Sequence, residues 1–265
     1  MKITALVENQ AKDDCKAKHG LSLYIETQKH KILFDLGPDS TLFTNAAKKN
    51  IDLTKVDTVI ISHGHMDHGG ALKKFLAINN HAKIYVQRRA FEAHSSKFLW
   101  IYANVGIDKA FLHHPQIVLL DGDQVIDEEL QVFVVTEDRM CYSNANDSLY
   151  ENRQKDHFLH EQNLVINEKV TAMFVGCGHT GIVNIMKKGI QYAPQVCIGG
   201  YHLYNPLTKK TVETKLLDEI ASHLKQYDTV DFYTCHCTGK VAYTYLASKL
   251  THMHYLSCGE TITLS

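Results

Sequence analysis

The chain has 265 residues, 45% of them hydrophobic, with a formal charge of −1 and seven cysteines. That length suits one large domain or two small ones, and near-neutral charge gives no electrostatic reason to expect nucleic acid or an acidic membrane as a partner. No apolar run approaches a membrane span and the N-terminus lacks a signal-peptide core; the odd, scattered cysteines read as reduced thiols of a cytoplasmic protein.

In chain order, residues 2–8 predict a first strand and 12–20 a polar loop close enough to the active face to matter. Residues 21–27 alternate with period two and, with 32–35, predict a hairpin ending at Asp35-Leu36-Gly37-Pro38. Residues 40–50 have helical spacing, and the β-branched run 56–61 predicts a buried strand. A tight loop, Ser62-His63-Gly64-His65-Met66-Asp67-His68-Gly69-Gly70, leads into a helix to about Ile78, and 81–86 predict another strand. The order β, ββ, α, β, α, β implies a layered α/β arrangement.

Residues 88–115 open with an aromatic, irregular stretch holding the only Trp, in Lys97-Phe98-Leu99-Trp100-Ile101-Tyr102. It reads equally as a helix covering the core or a lid over a pocket. Residues 117–120, 124–126 and 130–135 predict short antiparallel strands with Asp121-Gly122-Asp123 as the turn. A polar loop over 136–160 follows; its Arg139, Arg153 and Lys155 are candidate anion contacts, though each alone reads first as a solvated cation.

The second half repeats the style of the first: a hairpin at 163–167 and 170–175, the turn Gly176-Cys177-Gly178-His179-Thr180-Gly181, and a helix over 182–190. Strand 196–199 runs into Gly200-Tyr201-His202-Leu203, a helix covers 211–227, and strand 230–234 meets Cys235-His236-Cys237-Thr238-Gly239 before a helix to Leu250. One strand over 253–264 closes the chain. No linker divides it, so residues 1–265 read as one domain of two pseudo-related halves.

Three imidazoles and a carboxylate between His63 and His68 are the strongest chemical signal. Imidazole with carboxylate suits zinc, manganese or iron, and one turn can aim one pair of ligands at one metal and the other pair at a neighbour. With 17 histidines in the chain, some clustering by chance is also expected. Singly, His179 and His236 read as structural histidines; together with the loop they suggest convergence on one sheet edge, where α/β sheets place their sites.

The His-x-His-x-Asp-His run at 63–68 resembles the signature of the metallo-β-lactamase superfamily. Residues 176–185, 199–203 and 236–239 are similar to the later motifs of one branch, that of a methanopterin-type 7,8-dihydropterin–aminobenzene ribotide phosphate synthase. The resemblance implies a four-layer αββα sandwich. It implies that His63, His65 and His179 hold one divalent metal, zinc first with manganese or iron as alternatives, while Asp67, His68 and His236 hold or approach a second. Asp35, at a strand end before Gly-Pro, reads by itself as a turn or N-cap residue; by the resemblance it would hold the loop from beneath by hydrogen bonds. Cys177 lies nearest to where many members carry a metal-bridging Asp, and His160-Glu161 stands where the branch has Asp-Glu, making both outside candidates for the site. His65 replaces the Glu of oxygen-reducing diiron members, which argues against that redox role.

Asp67 would orient or deprotonate the attacking water, and His202 would bind substrate or protonate a leaving group, with a structural role equally open. Tyr201 and Arg139 are further candidate substrate contacts. The expected activity is hydrolysis of a small phosphoester, phosphonate, lactone or related molecule. The alternative is a transferase joining a dihydropterin diphosphate to an aminobenzene ribotide, and the third is a non-enzymatic metal-binding protein. The expected partner is a small molecule, phosphorylated in some of these readings.

Overall fold

The computed structural model describes residues 1–137 and 139–265. Two seven-stranded sheets carry the fold. The first runs, edge to edge, Thr261–Thr263, Lys2–Val7, Ser22–Glu26, Lys31–Phe34, Thr58–Ile60, Lys83–Gln87 and Ile117–Leu120. The second runs Gln124–Val125, Leu130–Phe133, Asn163–Asn167, Thr171–Val175, Val196–Gly199, Asp231–Thr234 and Met253–Tyr255. In each, the first four strands are antiparallel neighbours and the fourth begins a parallel run. One succession used twice is the structural form of the two pseudo-related halves.

Among the described residues there are six α-helices: α1 (Thr41–Lys48), α2 (Met66–Gly69), α3 (Leu72–Ile78), α4 (Ile182–Gly189), α5 (Thr214–Leu224) and α6 (Lys240–Ala247). Period-two alternation sends neighbouring apolar residues into different layers. Ile32 and Phe34 pack between the sheets against Leu164, Ile166, Phe174 and Ile198. Leu33, between them in sequence, instead joins Leu42, Leu72 and Phe75 on the helix side. Val165, Met173 and Cys197 face α4, α5 and α6 in the same way. The layers are therefore αββα. At the centre the Phe34 and Phe174 rings lie 5.9 Å apart across the inter-sheet core.

Three expectations need correction. Asp121-Gly122-Asp123 is not a hairpin turn: Ile117–Leu120 pairs in parallel with Lys83–Gln87, while Gln124–Val125 belongs to the other sheet, so the segment crosses the sandwich. The closing segment is two strands in different sheets, Met253–Tyr255 and Thr261–Thr263. Residues 97–102 form no helix; they are the end of a hairpin, His94–Phe98 with Ile101–Asn104, extended by Leu149–Glu151 and Gln154–Lys155. Its tip points outward, with Trp100 79% exposed, whereas Phe91 and Ile107 at its base join the core. Among the described residues no helix is long and apolar enough to cross a membrane.

Asp35, the 62–68 loop, Cys177, the 200–203 turn and the 235–239 turn all follow the carboxyl ends of strands in the two parallel runs. Side chains from both halves therefore meet at one edge of the sandwich.

Candidate metal centre

The 62–68 loop is fixed from below by Asp35. Ser62 donates its N–H to Asp35 Oδ1 at 2.7 Å and its hydroxyl to Oδ2 at 2.7 Å, and His68 donates Nδ1–H to Oδ2 at 2.6 Å. The Ser62 hydroxyl, its proton given to Asp35, accepts from His63 Nδ1–H at 2.9 Å. His179 Nδ1–H donates to Asn146 Oδ1 at 2.8 Å, and Asn146 Nδ2 donates back to the His179 carbonyl at 3.0 Å. Asn9 clamps His236 identically, accepting from Nδ1–H at 3.0 Å and donating to the carbonyl at 3.1 Å. These acceptors orient the rings: each of the four imidazoles donates from Nδ1 and turns Nε2 toward the site. That is the arrangement metal-ligating histidines adopt.

The backbones of the second-half loops are held by buried acids. Glu161 accepts the N–H of His179 at 2.7 Å and of Thr180 at 2.8 Å. Glu8 accepts the N–H of His236 at 2.7 Å. Burial pushes both carboxyls up, and these bonds pull them partly back. His160 accepts Gly64 N–H on Nδ1 at 3.0 Å and donates Nε2–H to Asp156 at 3.1 Å; His94 contacts the same carboxylate at 3.2 Å. His160 and Glu161 thus brace one ligand loop each, and a ring nitrogen of His160 lies within 4.8 Å of donors of His65, His94 and Asp156.

Two clusters result. The Nε2 atoms of His63, His65 and His179 are buried without a hydrogen-bond partner, and ligand atoms of these three residues lie within 4.8 Å of one another. Burial first, then the surrounding imidazoles, hold all three well below the usual histidine range, so they are neutral. The Phe158 ring stacks on His179 at 4.4 Å and fixes its plane. In the second cluster His68 Nε2 lies 3.1 Å from Cys177 Sγ and 3.2 Å from His236 Nε2. Asp67 Oδ2 lies 3.4 Å from His236 Nε2 and 3.3 Å from His19 Nε2. Burial opposes the Asp67 charge, but His68, His19 and His236 outweigh it and keep the carboxyl ionised.

Three converging neutral nitrogens with no other partner fit a divalent cation, since buried polar atoms are almost always satisfied. The second set, two imidazoles, a carboxylate and a thiol, is also a competent donor set. Backbone strain accompanies both: Asp35, His202 and His236 have φ of 63°, 47° and 50°, a left-handed conformation that costs non-glycine residues on the order of 1–3 kcal/mol.

Above the clusters lies a cavity of about 240 Å³ walled by Met66, Leu149 and Leu207 and reached by His19 and His202; no Lys or Arg is among its described lining residues. Both His202 ring nitrogens are buried without partners. Tyr201 and Arg139, expected at the substrate, are elsewhere. Tyr201 packs into the helix-side core, and the Arg139 guanidinium donates to the carbonyls of Glu137 and His157 at 3.1 and 2.9 Å. Asn9, His19, Glu8, Asn146 and Asp156 were missed as site residues. Their only sequence signal is that they are polar residues in or beside loops.

Residues 16–140 match the family model described as Metallo-beta-lactamase superfamily. An uncharacterized protein of Methanocaldococcus jannaschii is 27% identical over 278 residues, covering 98% of this chain and 99% of that protein. The 7,8-dihydropterin-6-methyl-4-(β-D-ribofuranosyl)-aminobenzene-5′-phosphate synthase of the same organism is 28% identical, covering 84% of this chain and 82% of the synthase. A solved metal-dependent hydrolase of the β-lactamase superfamily superposes with a TM-score of 0.79 at 21% identity, covering 100% of this chain and 99% of that one. The αββα sandwich is thus the fold of that β-lactamase-superfamily hydrolase, and the stretch matching the superfamily model contains the His-x-His-x-Asp-His loop.

Proposed function

We propose that the protein is a metal-dependent hydrolase cleaving an ester, lactone or related bond in a small substrate whose remaining part is uncharged and apolar. The observation that carries this reading is the set of three neutral imidazole nitrogens without a partner among the described residues, beside a cavity whose described lining holds no lysine or arginine. A divalent cation held by His63, His65 and His179, zinc by donor preference with manganese or iron as alternatives, would supply a water-derived nucleophile near pH 7 and stabilise a developing oxyanion.

The chain's own groups do the rest. Ionised Asp67 accepts a proton at Oδ2, a position His19 and His236 hold in place. His202, its ring nitrogens uncommitted, contacts the leaving group and gives it a proton. Met66, Leu149 and Leu207 bury the apolar substituent and exclude water around the bond.

A transferase acting on a dihydropterin diphosphate is the second reading, favoured by the 28% identical synthase. The absence of a cation from the described wall counts against a substrate carrying two phosphates. A purely metal-carrying role would leave His202 without a use.

The test is a panel of lactones, aryl esters, phosphodiesters and dihydropterin diphosphate, the last with and without the arylamine, offered to metal-loaded protein. The expected result is turnover of apolar esters or lactones that chelation abolishes. Diphosphate release that depends on the arylamine overturns the hydrolase reading.

A further inference from the structure

We propose that Cys177 is a thiolate ligand shared by the two clusters, making the centre a nitrogen–sulfur site for thiophilic cations. The proposal rests on the metal-centre reading above.

Position carries the argument. Cys177 follows the strand Thr171–Val175 through Gly176, where a β-carbon would collide with the Ser62 hydroxyl. This close approach sets the cysteine against the first-half loop. Its Sγ is 3.1 Å from His68 Nε2. Within 4.8 Å sets of possible ligand atoms, Cys177 joins His63 and His68, then His236 and Cys237, and also His179 and His202. It therefore spans both clusters. The neighbouring strand end, Gly199-Gly200, pairs beside it and has no side chain to offer.

Cys237 is the rival sulfur, and its contacts set it apart. Its thiol lies 3.4 Å from the Cys177 carbonyl, to which it donates, and accepts the His202 N–H at 3.3 Å. Cys237 also lies within 4.8 Å of Cys177 and His236 donors, but it adds these two backbone contacts, whereas Cys177 Sγ is 3.1 Å from His68 Nε2 and reaches donors of both clusters.

Binding is a simple exchange. The Cys177 S–H bond breaks, the proton passes to solvent, and the sulfur lone pair forms the bond to the cation, with no change in oxidation state. A thiolate donor favours zinc, cobalt or cadmium over magnesium or manganese.

The experiment titrates cobalt(II) alone into the metal-stripped full chain and follows the near-ultraviolet sulfur-to-cobalt charge-transfer band together with bound metal per chain. The expected wild-type result is a strong band and two ions per chain. Cys177→Ser should lose the band and bind one ion, and Cys237→Ser should keep both features. Cys177→Asp, an oxygen donor at the same place, should restore two ions without the band, and its folded circular dichroism would show that lost sulfur rather than misfolding explains the change. A band that survives Cys177→Ser, or disappears with Cys237→Ser, overturns the proposal. Cobalt bound by wild type without any sulfur band overturns it while leaving the metal centre standing. A wild-type chain that binds no cobalt overturns the metal-centre reading itself.

Discussion

At the first cluster His63, His65 and His179 present three buried Nε2 atoms that no group among the described residues satisfies. At the second, His68, Cys177 and His236 lie 3.1 and 3.2 Å from one another's donors, with Asp67 3.4 Å from His236. An unsatisfied buried polar atom costs about 1–3 kcal/mol, so the first cluster is held together against a penalty that only an added electrophile removes. The second satisfies itself. Asp35 and Asp67 raise His68 to about 9 although burial opposes its charge, so its acids and bases already share a proton. One loop thus feeds two different kinds of site: one preorganised for a cation, the other able to stand without one.

The largest effects should come from breaking the first cluster. His63→Ala or His179→Ala should release its ion and cut turnover by more than the roughly 100-fold typical of lost outer-shell partners, measured by elemental analysis and kcat. His236→Ala should remove one ion of two and leave the other bound. If the two kinds of variant lose the same share of metal, the clusters do not function separately. Asp35→Ala should damage both, because it serves Ser62 and His68 together. Removing one member of a buried pair costs about 3–5 kcal/mol, to be read from urea unfolding of metal-free protein. His202→Gln comes next, with kcat falling by roughly 100- to 10,000-fold while both ions stay bound. Loss of an ion in that variant would make His202 a ligand instead.

The loop's share of both clusters was legible in sequence, for a physical reason. His63, His65, Asp67 and His68 share one short loop, so local spacing alone displays them. His179 and His236 were readable because each follows an apolar strand and precedes a helix. The groups that orient them were not, since they lie far off in the chain: Asn9 meets His236 across 227 positions. A lone Asn or Glu has no pattern until tertiary contact gives it one. Sheet assignment failed at 121–123 for a related reason, because an apolar strand has the same alternation in either sheet. Tyr201 was misplaced because its neighbour His202 turns out of the extended path at φ 47°, so the position of one says nothing of the other; Tyr201 lies in the helix-side core.

The two asparagine clamps test the comparison with the least perturbation. Asn146 and Asn9 make the same pair of bonds, to His179 and to His236, yet they serve different clusters. Removing either frees an imidazole to rotate or to move its proton to Nε2, which weakens the ligand without deleting it. Asn146→Ala should therefore lower affinity at the first cluster by about 10- to 100-fold, and Asn9→Ala by a similar factor at the second. Competition with a chromophoric chelator resolves the two steps. The Asp substitutions separate orientation from tautomer. Asn9→Asp and Asn146→Asp keep an oxygen that accepts from Nδ1–H but lose the N–H to the histidine carbonyl, so affinity should return most of the way to wild type. If the Asp variants are as weak as the Ala variants, the carbonyl bond sets the ligand and the tautomer does not.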